Sequence, residues 1–149
     1  TVSTDIYLDV NDAIIERVEK AQIILAQLDE LDAKNVLENE MSLAAESAKK
    51  EVAVLTEELK EIVPVGKGGT EYLYAAVDFL SSASEVIQVY SDFAPSLSII
   101  EDDWSELQVQ EWFNLAEPVF LDYKQSFDEL IIQQSNYAAL QNIEIAFRR

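Results

Sequence analysis

Residues 63–71 read VPVGKGGTE, and this stretch holds all three glycines of a 149-residue chain. From Thr1 to Val63 neither glycine nor proline occurs, and Pro64, Pro95 and Pro118 all lie in or after the stretch. Pro64 lacks a backbone N–H and halts a preceding helix, while the glycines permit positive φ through a reversal. Thr70 reads as an N-cap, with Glu71 in the first turn of the helix that follows. A lysine flanked by glycines and followed by threonine also invites a nucleotide reading, but the pattern fails. No glycine stands upstream at the offset a phosphate loop needs, Gly68 rather than a hydroxyl residue follows Lys67, and a helix rather than a buried strand precedes. The stretch is a helix connector.

Upstream of it, apolar positions recur with helical spacing in two blocks. Tyr7, Ile14, Ala21 and Leu28 repeat every seven residues, Val10, Ile24 and Leu31 follow three positions on, and Val18 and Leu25 widen the stripe. Arg17 interrupts the second row, where it needs an acidic partner or an exit to water. Its functional alternative is an anion-recognising arginine facing Gln134 or Gln141. Met41, Ala48, Leu55 and Ile62, with Ala45, Val52 and Leu59, form the second block. Carrying the first phase onward would bury Asn35, Glu38, Ser42 and Lys49, so a short turn is placed at 32–36. One uninterrupted helix over 5–62 is the competing reading.

Downstream, Tyr72, Phe79, Val86 and Phe93 make one row and Ala76, Ala83, Tyr90 and Leu97 the next, thickened by Leu73, Leu80 and Ile87. Opposite them Glu71, Asp78, Glu85 and Asp92 form an acidic stripe, and Pro95 should end or kink the helix. Asp103 and Glu106 have capping-box spacing. Beyond them run Phe113, Phe120 and Phe127, and beside these Ala116, Tyr123, Leu130 and Tyr137. Both rows keep phase across Pro118, which predicts a kinked helix, and they end in the polar Gln134 and Gln141. The expectation is a single domain over 1–149 with helices at about 5–32, 36–62, 70–94 and 103–146. Together they make an all-α, antiparallel up-down-up-down four-helix bundle, kinked near Pro95 and Pro118.

The net charge is -19 and the isoelectric point about 4.1. Between Lys67 and Lys124 there is no lysine or arginine, while eleven acids fall from Glu71 to Asp122. Such a surface repels phosphates and anionic lipid, so nucleic acid is not an expected partner. No apolar run reaches the roughly 18 residues a membrane-spanning helix requires, so membrane insertion is not expected either. Solvation accounts for most acidic faces. The functional readings are a protein partner with a basic surface, a cation, or mimicry of a polyanion.

The chain has neither histidine nor cysteine. That composition excludes Ser–His and Cys–His catalysis, zinc sites, and the Glu-x-x-His pairs of di-iron bundles. Glu101, Asp102, Asp103 and Glu106 cluster without EF-hand spacing, so capping and solvation account for them. No carboxylate is singled out by an apolar setting, and no enzyme activity, metal or cofactor is expected.

Twelve of the fourteen aromatics lie between Tyr72 and Tyr137, so large side chains of the second half face small aliphatic ones of the first. That is ordinary interdigitating packing. Trp104, Trp112 and Tyr74 are expected near the surface and, with Asp78, Glu85 and Asp92, make a candidate interaction patch. In general cast the chain resembles the small exported helical-bundle proteins of bacteria. The first functional expectation is a non-enzymatic interaction or structural module, periplasmic or at the cell surface after removal of a leader, and cytoplasmic otherwise. The alternative is a sensory bundle holding a small apolar or aromatic molecule between the third and fourth helices, with Arg17, Tyr90, Phe120, Tyr123 and Gln134 as candidate pocket residues.

Overall fold

Rows of apolar residues spaced by sevens can hide from water only by facing one another, and that is how the helices assemble. A computed structural model describes residues 3–34, 36–93 and 106–142, without the side chains of Glu38, Phe93, Gln108, Val109 and Trp112. The elements are α1 (Thr4–Ala33), α2 (Glu38–Lys60), α3 (Gly69–Phe93), α4 (Glu106–Leu115) and α5 (Glu117–Leu140). Ser3 caps α1 by accepting from the Ile6 N–H at 3.2 Å. The turn placed at 32–36 is present: α1 ends at Lys34, whose N–H returns to the Glu30 and Leu31 carbonyls, and Leu37 opens α2.

Side-chain pairs fix the directions. Tyr72 on α3 meets Asn11 on α1 and Tyr90 meets Asp29, the same offset of 61 at both ends, so α1 and α3 run parallel. Arg17 with Glu58, and Lys49 with Gln88, set α2 antiparallel to both. Tyr137 on Tyr72, Phe127 on Phe79 and Phe120 on Tyr90 set α5 antiparallel to α3. The result is an up-down-up-down four-helix bundle.

Within it α3 is the central element, packing against α1, α2 and α5. Tyr72, Ala76, Phe79, Leu80, Ala83 and Ile87 are fully enclosed, and only a narrow stripe of α3 reaches solvent. The opposing α1 and α2 rows, from Ile14 to Ala21 and from Met41 to Leu59, are buried as their spacing predicts.

The fourth segment differs in detail from the single kinked helix over 103–146. The chain leaves the helix at Ala116, and Pro118 occupies the first turn of α5, where its missing N–H has no intrahelical acceptor to lose. The Val119 and Phe120 N–H groups both turn to the Ala116 carbonyl. Phe113, expected in the core row, is 49% exposed, and Ala116 is the first buried residue of the fourth segment among the described side chains. The helix also stops before 146: Leu140 is its last residue, and Asn142 takes a left-handed φ of 59°. Pro95, the Asp103 cap and Trp104 lie outside the described residues.

The connector is clamped rather than loose. Thr70 lies inside α3 and not at its cap; the Tyr72 N–H bonds to the Gly68 carbonyl instead. The Tyr137 hydroxyl donates to the Val65 carbonyl and the Gln141 amide to the Lys67 carbonyl, each at 2.7 Å. This explains one polar residue at a core-type position, since Gln141 is 4% exposed and satisfies loop backbone. Gln141→Met should therefore cost about 1–3 kcal/mol by orphaning that carbonyl, read from urea denaturation.

Candidate functional site

The exposed stripe of α3 carries Tyr74, Asp78, Ser81, Glu85 and Asp92 on one face, so the acids singled out by their spacing do share a surface. Tyr74 is 64% exposed beside them. Across from the middle of this stripe, α5 presents Asp122, Gln125, Ser126 and Glu129. The two walls enclose a groove of about 470 Å³ whose lining also includes Ala75 and Ser82. Four carboxylates face it, two from each helix, and no lysine or arginine does.

The groove floor is a small hydroxyl network. Ser82 Oγ lies 2.6 Å from Ser126 Oγ and 3.3 Å from Asp122 Oδ2, while the Ser126 hydroxyl donates to the Asp122 carbonyl at 2.7 Å. Two hydroxyl hydrogens thus serve three contacts: with the Ser126 hydrogen on the Asp122 carbonyl, Ser126 Oγ and the Asp122 carboxylate compete for the Ser82 hydrogen. Small serines at these positions bring the two helices together under the acids, and larger residues there would fill the groove.

Charge compensation is one-sided. Among the described residues every ion pair lies on α1 and α2: Arg17 with Glu16 and Glu58, Lys20 with Glu16, Lys34 with Glu30, Lys50 with Glu46, Lys60 with Glu57. The groove acids have no such partner; Glu129 accepts only from the Gln133 amide at 2.8 Å. Asp92, at the far end of the stripe, accepts from Gln88, which in turn accepts from Lys49. The groove is therefore a place where acids of two helices converge without an ion pair among the described residues.

The five residues considered for a pocket do not converge. Arg17 reaches Glu58 at 3.2 Å and the Ala13 carbonyl at 3.1 Å, an acid partner with a half-exposed side chain rather than an anion site. Gln134 donates to Asn11, which also accepts from Tyr72, at the connector end of the bundle. Tyr90 and Phe120 meet edge to face at 6.5 Å, and Tyr123 stacks on Phe79 one layer away at 4.9 Å. Burial pushes the Tyr72, Tyr90 and Tyr123 phenols above their ordinary range, so all remain protonated at neutral pH. None of these residues lines the grooves found between α3 and α5, along α1–α2, or near the α1–α2 turn. The Trp112 side chain is outside the described set, and its backbone lies on α4.

Spacing had singled out one wall of the groove and missed the other. Asp122, Gln125 and Glu129 recur at three and four residues, a second polar stripe legible in the sequence. What pairs it with the α3 stripe is helix register, which only the packed structure supplies. No protein-family model matches this chain, and neither the curated proteins nor the solved structures include one similar to it.

Proposed function

We propose that the chain is a non-enzymatic interaction module whose working surface is the α3–α5 groove, and that the groove receives a basic segment of a partner protein. One observation carries this reading. Asp78, Glu85, Asp122 and Glu129, two from each of two helices, face a common groove and form no ion pair among the described residues, where every ion pair lies on α1 and α2. Lysine or arginine side chains entering the groove supply the missing charge and donate to carboxylates on both walls. Tyr74, exposed one turn from Asp78, adds an aromatic face on which an arginine stacks.

A fluorescein-labelled helical peptide rich in lysine and arginine provides the test, followed by anisotropy at moderate salt. Neutralising the groove with Asp78→Asn, Glu85→Gln, Asp122→Asn and Glu129→Gln together should weaken binding about tenfold or more, since each exposed pair contributes up to about 1 kcal/mol. The control, Glu19→Gln, Glu46→Gln, Glu51→Gln and Glu57→Gln, changes net charge equally on the other face and should weaken binding about twofold. Equal losses in the two variants would mean that diffuse charge does the binding, and the groove reading would fall.

A further inference from the structure

At the end of the bundle where α1 finishes, Asp32 is 9% exposed, and its Oδ1 has no hydrogen-bond partner among the described residues. A buried carboxylate oxygen without a partner makes the charged form costly to hold in a core. Its surroundings make matters worse. Asp29, one turn earlier, carries a second carboxylate that already accepts the Tyr90 hydroxyl at 2.8 Å. The last turn of α1 contains no basic residue, and its carbonyls add the negative end of the helix dipole.

The packed neighbours bring no relief. The offset between α1 and α3 sets Asp32 level with the end of α3, where Asp92 is the charged side chain and Tyr90 the titratable one. The Arg17–Glu58 and Lys49–Gln88 pairs put 43–47 of α2 at this height, and Glu46 there is bound to Lys50. The Tyr90–Phe120 contact brings Glu117 of α5 to the same level. Of the cations, Lys34 is held by Glu30 and Lys49 by Gln88. Lys50 is held by Glu46, and the remaining charged groups at this height among the described residues are acids.

We propose that Asp32 is a proton-operated latch: as the neutral acid it belongs to the closed bundle, and its ionisation loosens the last turn of α1 from α3. Burial first, and the Asp29 charge second, hold its carboxyl above the ordinary aspartate range. The sign follows from linkage. A folded state that holds the proton more tightly than the unfolded chain has its full advantage below the ordinary value near 3.9, and loses it as pH rises from there through the raised folded value. Mild acid therefore closes this end of the molecule, and neutral or basic solution opens it.

Three measurements test the latch. The Asp32 carboxyl carbon, followed by NMR, should titrate above the ordinary aspartate range. Asp32→Asn, a neutral mimic of the acid, should melt several degrees above the wild type at pH 7.5, with the gap closing near pH 4. Asp128→Asn, which removes one exposed charge, should leave the midpoint nearly unchanged. Amides of 28–33 should exchange more slowly in Asp32→Asn than in the wild type at pH 7.5. An ordinary titration for Asp32, a variant no more stable than wild type at pH 7.5, or equal amide protection in both proteins overturns the proposal.

Discussion

Phe79→Ala will lower the unfolding free energy by about 3–5 kcal/mol, the largest loss expected from any single truncation in this molecule. Phe79 is fully buried at the centre of α3, its ring 4.9 Å from Tyr123 and 5.6 Å from Phe127. Removing it forfeits the transfer free energy of an aromatic side chain and two ring–ring contacts. It also leaves a void that two neighbouring aromatics on a rigid helix cannot fill without leaving their rotamers. At this chain length each kcal/mol moves the midpoint by roughly 2–4 °C, so a drop of about 6–20 °C should appear in a thermal melt followed by circular dichroism. Phe79→Leu should recover much of the loss, because it restores volume without the ring. A drop of only a degree or two for the alanine variant would show that α5 does not pack on α3 as described.

Gly68→Ala should be the next most damaging, at about 2–5 kcal/mol, although it adds a single methyl. Two penalties combine. Gly68 has a φ of +84°, where a Cβ costs about 1–2 kcal/mol. That Cβ would also lie 2.9 Å from Leu140 Cδ1 and 3.2 Å from the Tyr137 Cα, and crowding of this kind costs about 1–3 kcal/mol. Leu140 can swing away, but the Tyr137 backbone cannot, and the same tyrosine holds the connector through Val65. Gly66 shares the positive φ and is exposed, so Gly66→Ala should show the backbone penalty alone and fall clearly short. Urea denaturation of the two variants side by side checks the difference. Equal losses would mean that the close approach to α5 contributes nothing.

The helical rows were legible because each apolar stripe keeps one phase over several turns. Met41, Ala45, Ala48, Val52, Leu55 and Leu59 are all buried, as are Tyr72, Ala76, Phe79, Ala83, Val86 and Tyr90. Phe113 was misread because periodicity reports which residues share a face, not how deeply each one is buried. Arg17 and Gln141 were recognisable as anomalies, yet their partners, Glu58 and the Lys67 carbonyl, lie 41 and 74 residues away in sequence. Half the acidic groove was visible for the same reason: the α3 stripe is local information, whereas its pairing with Asp122 and Glu129 is tertiary. Asp32 did carry a signal, since it follows Leu25 by seven in the Val18–Leu25 row, but an aspartate near a helix end reads as ordinary until the packing shows it buried.

The two walls of the groove belong to helices whose contact is itself a large part of the core. Phe79, Tyr90 and Tyr72 lie on the inner side of the same α3–α5 seam that carries Asp78 and Asp122 outside. Grip and cohesion are therefore linked quantities. Any molecule that spans both walls adds its binding free energy to the seating of α5, and any substitution that unseats α5 takes away the same amount from binding. Occupancy of the outer groove would then register as slower amide exchange deep in the core, several residues from the nearest contact.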